Sequence, residues 1–461
     1  MRIKLGVDVT LEFIKSALGI TASREDGFIN ITHISTDTRC LRKGDIFIAL
    51  KGKKYDGNDF LKDASEIGAI CIGRNESYAA ITVSDTEDAL LRIAEEYLKL
   101  IAPRHVIAIT GSVGKTTTKD LLYTLLAAKY RVHKTAGNLN STVGVPFTVL
   151  AMQRDTEILV CEAGMNHMGE LLRISRCLRQ DLTVITRIGT AHIGNLGSRE
   201  NIAAAKLEIL RHASDHTTII PYGEPLLKNA GAPITVSTSS PDADFSLICT
   251  EKCADGLYCS FNCPDFRIND LFIAADRPHI PLCMAYALAA ATVIGMTKDD
   301  IVKAILRYNE AFMPSNTPIN GTLIIDDSYN SSPEAVELAL SELARSPIPT
   351  AAVLGDMLEL GDYTPELHEQ IGEIAARAGV CCLFALGDMR EHVARGAMRA
   401  GLSEERIYTP DYFADKVSVT RDIANRVKGK AVLIKGSHKL GLGELAQALV
   451  KLLKETDDEN K

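Results

Sequence analysis

Hydrophobic and polar positions along this chain predict helices and strands in alternation. Within Thr86–Leu100, apolar side chains recur every three or four residues, which predicts an amphipathic helix with one buried face. Apolar runs of strand length occupy Glu157–Glu162 and Leu182–Ile188, and helical patterns begin at Gly169 and cover Ser198–Arg211. Such alternation is typical of a parallel sheet with helices on both faces, so we expect an α/β fold.

Two stretches rich in chain-breaking residues divide the chain into three segments. Ile101-Ala-Pro-Arg104 forms the first break, and Ala311–Pro318, which contains two prolines, forms the second. We therefore expect a small mixed α/β domain at 1–100, a central domain with a mainly parallel sheet at 101–316, and a Rossmann-like domain at 317–461. The third segment has no GxGxxG motif of the dinucleotide-binding kind.

Shorter patterns fill in the central and third segments. Polar residues 233–270 predict strands added at a sheet edge, and the Ala-rich run Met284–Ile294 predicts a buried helix. Apolar runs in the third segment predict four strands, at Thr322–Ile325, Thr350–Leu354, Cys381–Leu386 and Ala431–Ile434.

Composition narrows the class of protein. The 461 residues are 46% hydrophobic and 24% charged, as in ordinary globular proteins, and no uncharged apolar run approaches the ~18 residues of a membrane span. The N-terminus lacks the apolar core of a signal peptide, so we expect a cytoplasmic protein without membrane insertion. The net charge is −8, and the longest basic run is Lys51-Gly-Lys-Lys54, which argues against a nucleic-acid partner.

The 11 cysteines are scattered and form no zinc-binding pattern. Cys253, Cys259 and Cys263 come closest to a cluster. Because disulfides are rare in the cytoplasm, we expect these three to be reduced thiols.

The junction between a predicted strand and a predicted helix carries the most informative motif. Gly-x-x-Gly-Lys-Thr runs from Gly111 to Thr116, and Ile109 stands where the longer P-loop pattern has glycine. A strand–loop–helix of this kind places backbone amides around an anion, with Lys115 as a point charge and the Thr116 hydroxyl as a metal ligand. The alternative is an ordinary glycine turn, but the predicted strand before the motif and the predicted helix after it favour a nucleotide site. We therefore expect this loop to bind a nucleoside triphosphate. The residues expected to hold it are Gly111, Ser112, Val113, Gly114, Lys115, Thr116 and Thr117.

Three further polar residues follow predicted strands or lie on a predicted helix of the same sheet. Glu162 ends a parallel strand, which favours a magnesium ligand over a solvated acid. His192 follows the next strand, and Lys206 lies in the apolar helix after it. Taken alone, His192 is more typical of a structural histidine than of a ligand. Lys206 fits a role at the protein surface, with its stem buried and its charge in water, or a salt bridge, as well as it fits a functional role. The polar, Gly-rich loop Thr135–Pro146 either positions a substrate or merely turns.

Taken together, these stretches resemble the Mur ligase family. The resemblance rests on ITGSVGKTTTK, TAGNLNSTVGVP, EAGMNHMGEL, GTAHIGNLGSRENIAAAKLEIL, IIDDSYNSSPEAV and VLGDMLELG, in that order. The N-terminal stretches STDTR and KGDIFIALKG are similar to the family's uridine-nucleotide domain. Asn138, Asn140 and the sequence DSYN resemble the branch that adds D-alanyl-D-alanine rather than its sister ligases.

The resemblance implies an ATP-dependent ligase of peptidoglycan precursor synthesis that acts through an acyl phosphate. Its implied substrates are UDP-N-acetylmuramoyl-tripeptide and D-alanyl-D-alanine, and we expect a monomer. It implies catalytic roles for Lys115, His192, Lys206 and Asn140, and two Mg²⁺ ions held by Thr116, Glu162, His192 and Lys206 as a lysine carbamate. Substrate would contact Asp37, Thr38, Arg39, Asn138, Asn140 and Ser141, and nucleotide or substrate would contact Asp327, Tyr329 and Asn330.

The chain departs from the family pattern on the adenine side. Leu282, Cys283 and Tyr286 occupy positions where many relatives have His-Asn-x-x-Asn, and Pro314-Ser-Asn316 lacks the usual arginine. Either base selectivity is lost, or Tyr286, Asn316 or backbone groups rebuild an adenine pocket.

Two alternatives to this ligase stay open. One is a paralogue with another amine donor or UDP-peptide acceptor. The other is a non-catalytic nucleotide-binding subunit, against which the retained Lys115, Thr116, Glu162, His192 and Lys206 speak.

Overall fold

The structure of the chain, a computed structural model, describes residues 1–52, 54–213, 217–253, 256–275, 279–312, 316–328 and 331–458. Within these ranges the strands form three sheets of five, nine and six strands. Most neighbouring strands are parallel, and helices alternate with them along the chain, which confirms the predicted α/β class. The exact limits of the three predicted domains stay a prediction.

The first sheet is small and mixed. Its order is β1-β2-β3-β4-β5, with β1 antiparallel to β2 and the others parallel. The strands are β1 Arg2–Thr10, β2 Asn30–Ser35, β3 Ile46–Ile48, β4 Ile70–Gly73 and β5 Ile81–Thr82. The helices are α1 Leu11–Ala17, α2 Leu61–Glu66 and α3 Thr86–Ile101. Helix α3 confirms the predicted amphipathic helix, and its Asp85 N-cap accepts from Glu87 N and Asp88 N.

The phenol of Tyr97 on α3 ties this sheet to the next part of the chain. Its hydroxyl accepts from Val7 N at 2.6 Å and donates to Met152 O at 3.0 Å. The ring is fully buried, so the two parts share one continuous core.

The second sheet has the order β14-β13-β12-β11-β10-β9-β6-β8-β7. The strands are β6 His105–Thr110, β7 Val132–Lys134, β8 Ile158–Glu162, β9 Leu182–Ile185, β10 Thr217–Pro221, β11 Ile234–Ser237, β12 Phe245–Cys253, β13 Gly256–Asn262 and β14 Arg267–Ala274. The helices are α4 Lys115–Leu126, α5 Gly144–Leu150, α6 Glu170–Leu178, α7 Ile193–Leu196, α8 Arg199–Leu207, α9 Ile280–Val293 and α10 Lys298–Ala311.

Strand direction in the second sheet positions the site. Strands β6 to β12 are parallel, whereas β13 and β14 add antiparallel at one edge, as the polar region predicted. Strand β6 lies between β8 and β9, so the loops after these three strands open at the same edge. The Ala-rich helix α9 is almost wholly buried against α4 and begins earlier than predicted, because Pro281 is tolerated in a first helical turn.

The third sheet has the order β15-β16-β20-β17-β18-β19, and all neighbours except β15 and β16 are parallel. The strands are β15 Asn316–Ile319, β16 Thr322–Asp326, β17 Thr350–Leu354, β18 Cys382–Ala385, β19 Ile407–Tyr408 and β20 Ala431–Lys435. The helices are α11 Pro333–Leu343, α12 Thr364–Arg377, α13 Arg390–Arg399, α14 Lys416–Arg426 and α15 Leu442–Asp458. The four predicted strands of this segment are confirmed.

One expectation about the cysteines is wrong. Cys249 and Cys259 are directly opposed on β12 and β13 and form a disulfide, so Cys259 is not a free thiol. Cys253 and Cys263 are free. The sequence could not reveal this pair, because it depends on the register between the two strands. In the part of the chain described here, no helix has the length and apolar character needed to cross a membrane.

Candidate active site

The loop between β6 and α4 has the conformation of a phosphate-binding turn. Gly111 has a φ of 143°, and a Cβ atom there would lie 2.0 Å from Oγ1 of Thr186, so only glycine fits. The Thr186 hydroxyl donates to Val113 O at 2.6 Å and holds the turn from the β9 side. Gly114 precedes α4 without any side-chain cap, which leaves the helix N-terminus open to an anion.

Lys115 folds back onto its own loop. Its Nζ donates to Gly111 O at 2.7 Å and to Ser112 O at 3.4 Å. Burial lowers the pKa of Lys115, and the Glu162 carboxylate acts in the opposite direction. An incoming phosphate would replace two carbonyl partners with a charged one, which is a stronger interaction for an ammonium.

Glu162 joins the phosphate loop to the Gly-rich loop. At the end of β8 it is 2% exposed, and its Oε2 accepts from Thr116 Oγ1 at 2.9 Å. Its Oε1 accepts from Asn140 Nδ2 at 2.8 Å, and the buried Lys119 ammonium lies 3.8 Å from Oε2. The predicted metal ligands Thr116 and Glu162 are therefore in contact, and so is the predicted substrate residue Asn140.

These atoms fit a single Mg²⁺ ion that nucleotide phosphates help to hold. A carboxylate and a hydroxyl are the hard oxygen donors that Mg²⁺ prefers, and phosphates and water usually complete its octahedron. Among the described residues, no group of three or more His, Cys, Asp or Glu side chains is placed to hold a metal by itself. The arrangement suits a metal that arrives with its nucleotide.

His192 follows β9 in a left-handed backbone conformation, with a φ of 69°. Its Nδ1 lies 2.6 Å from Oε2 of Glu359, which belongs to the loop after β17. His192 lines the same cleft as Thr116 and Glu162. The structure thus brings His192 to the predicted site, together with a partner from the third segment.

Lys206 lies near the end of α8 and is 1% exposed. Burial lowers its pKa well below the ordinary lysine value, and the charge of Lys115 lowers it further. Among the described residues no carboxylate forms an ion pair with Lys206, so the salt-bridge interpretation of this side chain is unsupported.

A cleft of about 1610 Å³ connects the loops of the second sheet to the third segment. It is lined by predicted residues from both, including Lys115, Asn138, Asn140, Ser141 and Asp327. Asp327 accepts from Nζ of Lys435 at 2.7 Å, and this lysine is 3% exposed. Tyr329 and Asn330 lie outside the described residues.

The predicted uridine residues lie apart from this cleft, after β2. Arg39 binds Asp37 through both Nε, at 2.9 Å, and Nη2, at 2.6 Å. This contact holds the pKa of Asp37 well below its usual range, while the Arg39 side chain is 88% exposed. Asp37 also accepts from Arg39 N and caps the short turn that begins at Thr38.

Two adenine-side candidates are not available to a nucleotide. Tyr286 is fully buried and its hydroxyl donates to Thr186 O, so the suggestion that Tyr286 rebuilds an adenine pocket is wrong. Cys283 is 3% exposed, and its thiol contacts Gly114 O. The side chain of Asn316 is outside the described part of the chain.

Three cleft or near-cleft residues were missed from sequence. They are Lys119, buried beside Glu162, His279, whose Nε2 lies 3.4 Å from Thr117 Oγ1, and Glu359. Signals existed for Lys119, which lies one helical turn after Lys115 on α4, and for Glu359, which lies in the motif VLGDMLELG.

Comparisons with known proteins agree with this geometry. The Mur ligase family catalytic domain matches residues 30–111, the Mur ligase middle domain matches 109–254, and the Mur ligase glutamate ligase domain matches 313–438. The chain is 34% identical to UDP-N-acetylmuramoyl-tripeptide–D-alanyl-D-alanine ligase of Bacillus subtilis, an alignment that covers 91% of this chain and 93% of that protein.

Solved structures are similar over nearly the whole chain. MurF from Acinetobacter baumannii superimposes with a TM-score of 0.85 at 25% identity, covering 97% of this chain and 100% of that one. MurF ligase from Thermotoga maritima in complex with ADP superimposes with a TM-score of 0.80 at 27% identity, covering 92% and 98%. Family domains match all three segments, and the Bacillus subtilis relative is more than 30% identical over 91% of this chain. The chain therefore belongs to the Mur ligase family.

Proposed function

We propose that this protein joins D-alanyl-D-alanine to the terminal carboxylate of UDP-N-acetylmuramoyl-tripeptide, at the expense of ATP, in peptidoglycan precursor synthesis. The observation that carries the proposal is the contact of Glu162 with both Thr116 and Asn140 beside the phosphate loop. This contact supports a role for Glu162 as a carboxylate that would bind a metal between the nucleotide and the Gly-rich loop. The choice of substrates is supported by the similarity to the UDP-N-acetylmuramoyl-tripeptide–D-alanyl-D-alanine ligase of Bacillus subtilis.

The loop residues Gly111–Thr117 bind the triphosphate in this proposal. Their amides and the Lys115 ammonium neutralise the charge that develops on the phosphates during transfer. The ADP complex of the Thermotoga maritima relative supports adenine nucleotide binding by this fold. Thr116 and Glu162 would hold one Mg²⁺ and His192 a second, and the ions would supply charge stabilisation at the phosphoryl group.

The reaction has two displacements. An oxygen of the substrate carboxylate attacks the γ-phosphorus, and the bond to the β,γ-bridging oxygen breaks, so that ADP leaves and an acyl phosphate remains. The neutral amine of D-alanyl-D-alanine then attacks the acyl carbon, and phosphate leaves from the tetrahedral intermediate as the nitrogen loses a proton. Asn138, Asn140 and Ser141 line the cleft where these groups would meet.

Water must stay out of the cleft while the acyl phosphate exists. The third segment lies over the second sheet and contributes Asp327 and Leu358 to the cleft wall. We propose that segments 1–100, 101–316 and 317–461 act as the UDP-substrate, ATP-binding and closing domains, the last with Asp327, Tyr329 and Asn330. Closure would exclude water from the reacting groups.

Lys206 is proposed to carry a carbamate. Its neutral amine would attack the carbon of CO₂, and a proton would leave to solvent, which turns the side chain into an anion. The lowered pKa supports this step, because only the unprotonated amine reacts. The resulting carboxylate would help to organise Mg²⁺ beside His192.

The uridine nucleotide of the substrate would bind away from the cleft, at the turn after β2. Asp37, Thr38 and Arg39 would bind the uridine nucleotide, and the exposed Arg39 guanidinium is free to approach a diphosphate on one side. We propose a cytoplasmic monomer.

The decisive experiment is phosphate release by purified protein with ATP and Mg²⁺. UDP-N-acetylmuramoyl-tripeptide and D-alanyl-D-alanine are supplied separately and together, and the product is identified by mass. We expect ADP, phosphate and the UDP-pentapeptide in equal amounts only when both are present. Product with L-alanyl-L-alanine at the same rate, or no product at all, would refute the proposal.

A pair of variants ties this activity to the loop. Lys115→Ala should lower kcat by ~10² or more, because its charge acts most strongly in the transition state. Lys129→Ala is the matched control, since Lys129 lies just beyond α4 and pairs with Asp300 at the surface.

A further inference from the structure

The segment after β9 and the loop after β17 dock on each other across the cleft. We call residues 192–197 and 359–363 together the interdomain latch. The first stretch follows the second sheet, and the second belongs to the VLGDMLELG motif of the third segment.

Hydrogen bonds join the two sides of the latch. Glu359 O accepts from Gly194 N at 3.1 Å, and the Tyr363 hydroxyl donates to Gly197 O at 3.3 Å. In addition, Nδ1 of His192 lies 2.6 Å from Oε2 of Glu359. The carboxylate of one segment therefore contacts the imidazole of the other.

The two backbones approach as closely as glycine allows. A Cβ atom on Gly194 would lie 2.3 Å from the nitrogen of Gly361, and one on Gly361 would lie 2.7 Å from the Gly194 Cα. No side chain separates the two stretches of the latch at these glycines, so main-chain contact fixes the geometry of the latch.

Both partners of the carboxylate–imidazole contact have unusual backbone conformations. His192 has a φ of 69° and Glu359 a φ of 67°, and only six non-glycine residues in the described ranges have positive φ. Such a conformation is unfavourable for a residue with a side chain and is kept where the surroundings enforce it. Two of them facing each other across a domain boundary point to a functional constraint on this pair.

We propose that Glu359 is a positioning residue that sets the tautomer of His192 for metal binding, and that it does so only when the third segment is docked. The inference rests on the proposed function, which gives His192 a metal. An ionised carboxylate can only accept a hydrogen bond, so its contact with Nδ1 places the proton there. The neutral ring then keeps its electron pair on Nε2.

The contact between Glu359 and His192 joins two different segments of the chain. Glu359 comes from the third segment, whereas Thr116 and Glu162 come from the second sheet. When the third segment is undocked, His192 loses its acceptor and the ring is free to exchange tautomers and rotate. Metal binding by His192 thus depends on closure, and the metal site is completed only after the cleft has excluded water.

The test compares Glu359→Gln and Glu359→Ala with Tyr363→Phe. The glutamine variant keeps the main-chain contact to Gly194 and the side-chain size, but its amide can donate as well as accept. The alanine variant removes the side-chain acceptor. The phenylalanine variant removes a latch hydrogen bond without touching the carboxylate, so it controls for weaker docking.

The first readout uses no nucleotide, substrate or metal. The protein is labelled with ¹⁵N-histidine, and long-range ¹H–¹⁵N spectra are recorded at a pH about two units above the ordinary histidine pKa of about 6.5. His192→Gln identifies the His192 signals among the 11 histidines. We expect the Nδ1–H tautomer in the native protein and in Tyr363→Phe, and a mixture or the Nε2–H tautomer in both Glu359 variants.

The second readout is the Mg²⁺ concentration that half-saturates the reaction. Loss of a hydrogen-bond partner behind a metal-binding histidine typically weakens the metal 10- to 100-fold, so both Glu359 variants should need about that much more Mg²⁺, and Tyr363→Phe should need the same amount as the native protein. An unchanged tautomer in both Glu359 variants overturns the inference. So does a changed tautomer with unchanged Mg²⁺ dependence, or an equal effect of Tyr363→Phe. Failure of the proposed function is seen separately, as absence of the UDP-pentapeptide with native protein.

Discussion

Asn140 Nδ2 donates to Oε1 of Glu162 at 2.8 Å, although 22 residues separate them in the chain. The Gly-rich loop is thereby fixed to the end of β8. The same carboxylate accepts from Thr116, so one acidic group contacts both the phosphate loop and the Gly-rich loop. The orientation of Glu162 therefore depends on the side-chain amide of Asn140, a contact that the sequence motifs do not reveal.

Asn140→Asp should disturb this carboxylate most directly. It replaces the donor by a second carboxylate, and two like charges in contact raise the pKa of one of them, so the pair takes up a proton. We expect the half-saturating Mg²⁺ concentration to rise by about tenfold or more, equivalent to ~1.4 kcal/mol. Magnesium titrations of the steady-state rate measure this.

Asn138→Asp provides the comparison, because Asn138 lines the cleft without contacting Glu162 in the structure. It should change the KM of the acceptor more than the Mg²⁺ dependence. An equal Mg²⁺ effect in both variants would mean that general negative charge, and not the Glu162 contact, is responsible.

Lys206→Ala should be nearly inactive if Lys206 carries a carbamate. Added acetate or formate should restore part of the rate, because each supplies the lost carboxylate in the space that the side chain leaves. Rates with and without these anions measure the rescue. Lys228→Ala, at an exposed lysine, should keep full activity and should not respond to them. A stable, active Lys206→Ala protein would exclude the carbamate.

Nucleotide selectivity should be weak on the adenine side. Leu282 and Cys283 replace the hydrogen-bonding residues of many relatives, and Tyr286 is buried with its hydroxyl already bonded. A site with few polar groups discriminates poorly between bases, because the wrong base leaves few of them unpaired. We expect GTP or ITP to support the reaction within about tenfold of ATP, a difference of ~1.4 kcal/mol.

Rates with the four nucleoside triphosphates at equal, subsaturating concentration decide this point. Nucleotide without magnesium should be inert in every case. A preference for ATP above about a thousandfold, ~4.1 kcal/mol, would show that His279 or backbone groups form a specific purine pocket.

His368 should make stability pH-dependent. It is 1% exposed, its Nε2 accepts from Met357 N at 2.9 Å, and its Nδ1 donates to Thr364 O at 2.6 Å. Burial lowers its pKa below 6.5, so the unfolded chain takes up the proton first. The melting temperature should therefore fall as the pH decreases below about 6.5, and should level off below the folded-state pKa.

His368→Gln should lower the melting temperature at pH about 7.5, because it disturbs two buried hydrogen bonds, but should flatten the decrease below about 6.5. The exposed His212 is the control, and His212→Gln should leave the pH profile unchanged. Profiles of equal slope in the native protein and His368→Gln would contradict the assignment. Differential scanning calorimetry at several pH values gives the comparison.

Local pattern was sufficient for most of the elements. The period of the apolar residues predicted α3, and strand-like runs before helical ones predicted β6, β8 and β9. Because strand ends in a parallel sheet meet at one edge, the pattern also implied that Lys115, Glu162 and His192 share a site, and all three line the cleft. These residue types alone did not show which reaction takes place at the site. The expected ligase reaction came from the resemblance of the motifs to the Mur ligase family.

Contacts between distant parts of the chain could not be predicted in this way. The Cys249–Cys259 pair depends on the register of two strands, and the contact of Glu359 with His192 depends on how the third segment docks. Neither leaves a periodic signal, because register and domain packing are set by the summed burial of many side chains. Likewise, the burial of Tyr286 follows from the packing of α9 against its neighbours.

The sequence by itself therefore determined the α/β class, the phosphate loop and the set of residues gathered at the strand ends. Those features arise from interactions between near neighbours, which hydrophobic period and turn residues encode directly. Only the tertiary structure decided which partner each polar group has, such as Asn140 for Glu162 and Glu359 for His192, and that Lys206 is buried. The physical reason is that burial and hydrogen-bond geometry, which fix pKa and orientation, exist only once remote segments have packed together.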